Sequence, residues 1–416
     1  MGNLNNKTSL HTNHKQAVHS VRDGQTFTSQ FSLSHFVGNL SGRSFASVTS
    51  NQSVYSASRP WSRISRRRWN DATLNNPLEA SKTAWPVAHK ESIFLPEFPI
   101  TTDLLQKDFE IAHTIAKGAF GEVYKVKKLS ENKEYALKVL NKSQVVNDNA
   151  VRQVKEEARI QEAVGHHVFI AGSVSRWQTK KRLYIVSEYI PGGELLNLIE
   201  KYGKLPEHLV KIYLAEISIA LDFLHNAGII YRDLKPENIL LDKDYHIRLI
   251  DFGLSKWLSI GSRTTTICGT LKYMAPELMM KEPYSHAVDW WSLGVLACYM
   301  LTGEFPTPVL PRQANATSNG NPPSSNDVNS CKKPGTLPEC ADLSKAARTL
   351  LMRLLETDPR HRMRSLRTLQ QSAFYMNFNF EHIKSKKITP KHVLEQNTPF
   401  LLAEDNKNKF IGFDQP

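Results

Sequence analysis

What most restricts the fold of this chain is a series of short motifs that follow one another in a fixed order between Ile115 and Glu277. The stretch Ile115-Ala116-Lys117-Gly118-Ala119-Phe120-Gly121-Glu122-Val123 comes first and Tyr135-Ala136-Leu137-Lys138 second. Glu157, in a charged stretch with helical spacing, precedes Tyr231-Arg232-Asp233-Leu234-Lys235-Pro236-Glu237-Asn238, and Asp251-Phe252-Gly253 and Ala275-Pro276-Glu277 close the series. Each piece is weak alone. The first has two of the three glycines of a G-x-G-x-x-G phosphate loop and by itself could be a turn between two strands. A lone strand Lys is usually a solvated edge residue, and a lone helix Glu is usually exposed. The Asp233 segment sets a carboxylate that can accept a hydroxyl proton beside a Lys that can offset phosphate charge. It also carries an Asn whose oxygen suits a hard cation, and Asp251 supplies a second hard oxygen. Chance produces single triplets; it does not produce the whole ordered series.

The chain around this series divides by composition. Its 416 residues are 40% hydrophobic, enough for a sizeable core, with no apolar run of about eighteen residues that would predict a membrane span. The N-terminus lacks an apolar h-region, so no secretory signal is expected. Cys268, Cys298, Cys331 and Cys340 show no metal or disulfide spacing and read as reduced thiols. The net charge is +13, but residues 1–90 hold eleven Lys/Arg against three Asp/Glu, so +8 of it lies there. That is weak evidence for a nucleic-acid-binding domain, and no nucleic-acid partner is expected. Residues 1–92, rich in Ser, Asn and Arg, read as disordered.

Residues 93–108 read as an apolar, proline-broken, extended lead-in lying against the folded domain, which spans 109–374. Within that domain Ile111/Ile115 and Val123/Val126 mark two strands flanking the Gly loop, and Tyr135–Leu140 a third. A helix is expected over 148–164. After Pro191 helices dominate (Leu195–Tyr202, Pro206–Ala227, and others ending near Ala373), with short strands at Ile229–Tyr231, Ile239–Leu241 and Ile247–Ile250. Residues 307–339, rich in Asn, Ser, Pro and Gly, read as a flexible insertion, and 375–416 as a C-terminal tail. A strand-rich part followed by a helix-rich part predicts an α+β chain of two lobes with a cleft between them.

The motif series resembles the signature set of eukaryotic protein kinases over roughly Phe109 to Phe374. The longer stretches, including Cys268-Gly269-Thr270 through Glu277 to Asp289-Trp290-Trp291, are most similar to the AGC group, within it the branch related to ribosomal protein S-six kinases. The resemblance implies a bilobal protein kinase fold and a serine/threonine kinase using ATP and magnesium. It implies that Ile115, Ala116, Lys117, Gly118, Ala119, Phe120, Gly121, Glu122 and Val123 cover the nucleotide, with Gly118 and Gly121 close to the phosphates. Lys138 would hold the α- and β-phosphates, oriented by Glu157. Val123, Ala136 and Leu240 would sandwich the adenine, Glu188 to Ile190 would read its edge, and Glu194 would meet the ribose. Asp233 would be the catalytic base, Lys235 a contact of the transferring phosphate, and Asn238 and Asp251 the metal ligands. Thr266 would be the activation-loop phosphosite, able to pair with Arg232, and Thr270 part of the acceptor platform. Glu277 would pair with Arg362. The rival reading is a pseudokinase scaffold; the presence of Lys138, Glu157, Asp233, Asn238 and Asp251 argues against it, and Thr270 with Ala275-Pro276-Glu277 argues against a small-molecule or lipid kinase.

Several positions depart from the pattern. Ala116 stands for the first glycine, at a strand end where extended backbone suffices. Ser187, at the gatekeeper position, is small and leaves room behind the adenine, so bulky ATP-competitive inhibitors are expected to bind. Tyr299 stands where basophilic members carry an acid, leaving Glu194 and Glu237 as acceptors for substrate Arg. The tail ends Phe410-Ile411-Gly412-Phe413-Asp414, which resembles a hydrophobic motif able to enter a small-lobe pocket beside the Glu157 helix; a frayed terminus is the alternative. Expected partners are protein substrates and an upstream activating kinase. The expected location is cytoplasmic, with membrane association through Gly2 lipidation and the Arg66–Arg68 cluster, or nuclear import, as alternatives. Asn6 weakens the lipidation pattern, which wants Ser or Thr there.

Overall fold

The computed structural model describes residues 89–101, 108–118, 120–259, 261–309, 333–339 and 342–397. Gly2, the Arg66–Arg68 cluster, Ala119, most of the 307–339 insertion and the Phe410/Phe413 tail lie outside them.

A five-stranded antiparallel sheet forms the small lobe: β1 (Phe109–Lys117), β2 (Gly121–Lys128), β3 (Lys133–Asn141), β4 (Ser173–Gln178) and β5 (Arg182–Glu188), in the order β1-β2-β3-β5-β4. Strand alternation assigns its two faces. Tyr135, Leu137 and Val139 of β3 join Phe109, Val126, Tyr184 and Val186 on the outer face, where Trp177 stacks between Phe109 and Tyr184 at 6.0 and 5.0 Å. Ala136, Lys138 and Leu140 therefore take the other face, as do Val123, Ile185 and Ser187 through the registers Val123↔Lys138, Lys138↔Ile185 and Ala136↔Ser187.

Onto that second face packs α1 (Val151–Val164) through Val154 and Ala158. The helix expected over 148–164 is present from Val151 onward, and a further helix that was not expected lies before it. This short one, Lys142–Asn147, starts at Asn141, whose side chain accepts from the Ser143 N–H at 3.0 Å. Asn149 then takes φ 55°, a left-handed turn that breaks the run before α1 begins.

Over residues 93–98 the lead-in is not extended. It winds into turns, with the Phe98 N–H donating to the Phe94 carbonyl at 3.0 Å, so both rings point the same way. Both are fully buried, against Leu140, Val145, Val154, Ala158, Leu183 and Ile185.

In the large lobe, α2 (Leu195–Tyr202), α3 (Glu207–Asn226), α4 (Ala287–Thr302) and α5 (Lys345–Leu354) surround one core. The α4 helix is buried almost all round, as its largely apolar sequence requires. Two small two-stranded antiparallel sheets, β6 (Ile229–Ile230) with β9 (Lys256–Trp257) and the hairpin β7 (Ile239–Leu241) with β8 (Ile247–Leu249), lie on the cleft side. Helical structure does not end near Ala373. It continues as α6 (Phe380–Lys384) and over 390–397, and Phe380, Ile383, Val393 and Leu394 join the large-lobe core. Asn379 caps α6, and Lys386 anchors the segment to Asp242 at 2.8 Å. These helices are too short for periodicity to reveal them.

Among the described residues no helix is long and apolar enough to cross a membrane.

Candidate active site

The cleft is built from one face of the sheet above and the β7–β8 hairpin with its flanking loops below. In the Gly loop, the Gly118 N–H donates to the Gly121 carbonyl at 2.8 Å and closes the turn between β1 and β2. A Cβ on Gly121 would sit 1.8 Å from the Val139 carbonyl oxygen, so β2 can pair with β3 there only through glycine. Ala116 pairs with Val123 inside the β1–β2 ladder, an extended position any residue can occupy. Lys117 and Glu122 form an exposed ion pair at 3.4 Å across the base of the loop. Ile115 is half-buried, and Phe120 packs against the Phe94/Phe98 cluster.

Lys138 projects from the cleft face of β3, and its Nζ donates to Glu157 Oε1 of α1 at 2.6 Å. Burial disfavours its charge, but Glu157 and Asp251 more than compensate and raise its pKa. Val123 and Ala136 share this face; Leu240 of β7 is half-buried and alternates with Ile239 and Leu241, which are buried in the core. Ser187 is small as expected, and Gln161 of α1 reaches it, its Nε2 3.4 Å from the Ser187 Oγ. Glu188 ion-pairs with Arg248 at 3.5 Å, Ile190 is buried, and Glu194 bridges Leu240.

Below, Asp233 is held from three sides. Its Oδ1 accepts from the Thr270 hydroxyl at 3.0 Å; its Oδ2 accepts from Asn238 Nδ2 at 2.8 Å and faces Lys235 Nζ at 3.1 Å. Lys235 also donates to Thr270 Oγ1 at 3.3 Å. The backbone of this loop hangs on a residue to which sequence reasoning gave no role. Asp289, at the start of α4 and fully buried, accepts from the Tyr231 and Arg232 N–H groups at 2.9 and 2.8 Å and meets His225 at 2.7 Å. It fixes Arg232 at φ 69°, a conformation costly for any residue with a Cβ without such support. The Tyr231 hydroxyl in turn donates to the Ile250 carbonyl, tying the loop to the segment before Asp251.

Asp251 also has a left-handed backbone, φ 54°, and its Oδ1 accepts from the Gly253 N–H at 3.0 Å. Phe252 is buried against Tyr231, ring centres 5.5 Å apart. Burial raises the Asp251 pKa to about 6; Lys138 opposes this, while Glu157 and Asp233 add to it. Asn238 donates both its amide bonds to Asp233 and leaves its Oδ1 buried without a hydrogen-bond partner. An orphaned amide oxygen beside an anion-crowded carboxylate is the donor set of a hard divalent cation, and the residues fit such an ion.

Thr266 is exposed, and its carbonyl accepts from the Tyr284 hydroxyl at 2.5 Å. That hydroxyl also accepts from Arg232 at 3.3 Å, and Lys256 reaches the neighbouring Thr264 at 3.0 Å. Glu277 and Arg362 form the bidentate pair expected of them, at 2.6 and 2.8 Å, both 2% exposed.

A strand-built small lobe, a Lys–Glu pair above the cleft and the clamped Asp233 loop below it define a protein kinase. The chain belongs to the protein kinase family, whose protein kinase domain pattern matches residues 109–374. It is 37% identical over 315 residues to a putative serine/threonine-protein kinase of Caenorhabditis elegans, covering 75% of this chain and 68% of that one. It is 38% identical over 304 residues to the Ribosomal protein S6 kinase-related protein of Homo sapiens, covering 73% and 71%. To the Atypical protein kinase C of Drosophila melanogaster it is 36% identical over 289 residues, covering 68% of this chain and 47% of that one. The resemblance to the AGC group is borne out: the chain is a serine/threonine protein kinase, an ATP-dependent phosphotransferase. Kinases of this family use ATP and a divalent metal and act on protein substrates.

Proposed function

We propose that this cleft transfers the γ-phosphoryl group of ATP to a Ser or Thr hydroxyl of a protein, with Asp233 as the base. The observation that carries this is the triple clamp on Asp233, which aims one carboxylate at the place where an acceptor hydroxyl enters beside Thr270. The hydroxyl proton passes to Asp233 as its oxygen bonds to the γ-phosphorus and the bond to the leaving ADP breaks. Lys235 sits where it offsets charge on the transferring group, and Lys138, kept cationic by Glu157, holds the α- and β-phosphates. The base, the lysines and Asn238 are held by contacts within the protein itself, and positioning of this kind supplies most of the rate enhancement. Asn238 and Asp251 would hold magnesium, which neutralises the phosphate charge when bound.

On the acceptor side, Glu194 and Glu237 favour a cationic substrate residue. Burial raises the Glu194 pKa to about 7, with Glu237 and Glu200 adding to it, and the Glu237 Oε2 is buried without a partner. A substrate guanidinium would relieve both. The reading is tested with a peptide library and labelled ATP: label is expected on Ser and Thr but not Tyr, enriched in peptides with Arg before the acceptor, and lost on chelation of magnesium. ATP binding without any labelled peptide would make the chain a pseudokinase.

The Asp251 carboxyl must be ionised to hold the cation. With its pKa raised to about 6, it protonates as pH falls through that value. Magnesium affinity is expected to be flat above pH 7 and to fall by up to about tenfold per pH unit below 6. Magnesium titrations at pH 5.5 and 7.5 check this.

A phosphate on Thr266 would stand near Arg232 and Lys256 and order the activation segment through charge-assisted bonds. Treatment with an upstream kinase is expected to raise kcat several-fold and Thr266→Ala to abolish the gain, read by comparing both proteins before and after treatment.

A further inference from the structure

We propose that residues 91–101, which lie before the kinase domain, are a built-in positioning element that holds Glu157 against Lys138. The proposal rests on the kinase reading above and adds to it the residues that set the geometry of its upper half.

The lead-in is bonded on one side to α1 and on the other to the sheet. On the helix side, Lys155 Nζ donates to the Leu95 carbonyl at 2.6 Å and the Ile93 carbonyl at 3.2 Å, and pairs with Glu97 at 2.9 Å. Arg159, one turn further along α1, pairs with the same Glu97 carboxylate. Burial alone would raise the Glu97 pKa; Lys155 and Arg159 outweigh it and hold the carboxylate below its usual range.

On the sheet side, Gln178 of β4 is fully buried, and its Nε2 donates to the Phe98 carbonyl at 2.6 Å and the Glu91 carbonyl at 3.0 Å. Lys142, itself 1% exposed, donates to Gln178 Oε1 at 2.5 Å and so fixes which way that amide points. The Gln178 N–H also donates to Pro99 at 2.9 Å, and Ile100 bridges the end of β4.

Between these two sets of bonds, Phe94 and Phe98 fill the space bounded by Val154 and Ala158 of α1 and by Leu140, Leu183 and Ile185 of the sheet. Lys155, Ala158 and Arg159 flank Glu157 on the same two turns of helix. A rotation or slide of α1 that withdrew Glu157 from Lys138 would therefore also break both Glu97 pairs and open the phenylalanine pocket. The two sets of contacts stand or fall together, which makes Phe94, Glu97 and Phe98 positioning residues for the Lys138–Glu157 pair. The space between the Glu157 helix and the sheet is thus filled from the N-terminal side, by Phe94 and Phe98.

The test uses the full chain carrying Phe94→Ala/Phe98→Ala, with kcat per folded molecule and hydrogen exchange as readouts. The expected result is a fall in kcat of about tenfold or more, lost protection across Val151–Val164 and unchanged protection across Glu207–Asn226. A synthetic peptide of residues 91–101 added in trans restores kcat, and the same peptide with Glu97→Lys does not. In the full chain, Glu97→Lys leaves the apolar packing in place and keeps the test available if the double variant does not fold; it is expected to lower kcat several-fold and loosen α1. A folded double variant with the parent kcat, or Glu97→Lys with the parent kcat and α1 exchange, overturns the proposal. If the unaltered chain transfers no phosphate, the kinase reading fails instead, and the exchange of Val151–Val164 alone decides whether the lead-in positions α1.

Discussion

Asp233→Asn lowers kcat by about 10²- to 10⁴-fold while leaving ATP affinity and the melting temperature close to those of the parent. The size follows from the contribution of a positioned general base. The selectivity follows from the clamp around it. An amide at this position keeps its oxygen towards Asn238 and Lys235, the two donors now facing Asp233 Oδ2. Its NH₂ replaces Oδ1 and turns to Thr270, whose hydroxyl can accept as readily as it now donates. Each neighbour therefore keeps a hydrogen-bond partner, while the basicity and the negative charge facing Lys235 are lost. The nucleotide contacts assigned to the Gly loop, Ala136, Lys138, Glu188 to Ile190, Glu194 and Leu240 are not altered by the exchange. Rapid-quench measurement of a single turnover, beside nucleotide titration and a thermal melt, separates these effects. A variant that keeps more than a tenth of the parent kcat would remove Asp233 from the role of base.

The second large effect is on stability. Arg362→Ala is expected to cost about 3–5 kcal/mol, the loss typical of a buried ion pair broken on one side. The guanidinium donates to both Glu277 oxygens, to the Ala287 and Thr357 carbonyls at 3.0 and 3.2 Å and to the Glu356 carbonyl at 2.8 Å, and lies 5.2 Å from the Trp291 ring centre. Its removal leaves a buried carboxylate and three carbonyls to find other partners. For a domain of this size the midpoint should fall by roughly 6–20 °C. The paired change Glu277→Leu/Arg362→Met removes both charges and should recover much of the loss, since paired burial is itself near neutral. Thermal and denaturant unfolding of the three proteins checks it; an Arg362→Ala midpoint within 2 °C of the parent would show the pair to be dispensable.

The placement of the residues proposed to act through side-chain chemistry was legible in the sequence, because their spacing is fixed. Lys138, Asp233, Asn238, Asp251 and the Glu277–Arg362 pair meet where the motif order places them. Strands and long helices were legible through period, and Leu195–Tyr202 matches its observed bounds. Supports that depend on distant segments were not. Asp289 holds the Arg232 backbone from 57 positions away, and Gln178 receives the lead-in from 80 positions away; neither contact leaves a local pattern. The turns of the lead-in were hidden by its prolines, which suggested extension, whereas backbone bonds from Phe94 to Glu91, Leu95 to Ser92 and Phe98 to Phe94 wind it. The closeness of Gly121 to Val139 was hidden too, because a glycine near phosphates and a glycine under a neighbouring strand look alike in a sequence.

The depth at which Phe94 and Phe98 lie has a practical consequence for anyone cutting this chain. The family pattern begins at Phe109, yet the fold does not. A fragment trimmed to that boundary would present Leu140, Val145, Val154, Leu183 and Ile185 to water as one contiguous greasy patch, of the kind that drives soluble proteins to stick to one another. Trimming at Phe374 would do the same at the opposite end, by removing Phe380, Ile383, Val393 and Leu394 from beneath the large lobe. The smallest well-behaved piece of this kinase is expected to run from near Glu91 to near Asn397, longer at both ends than its defining signature.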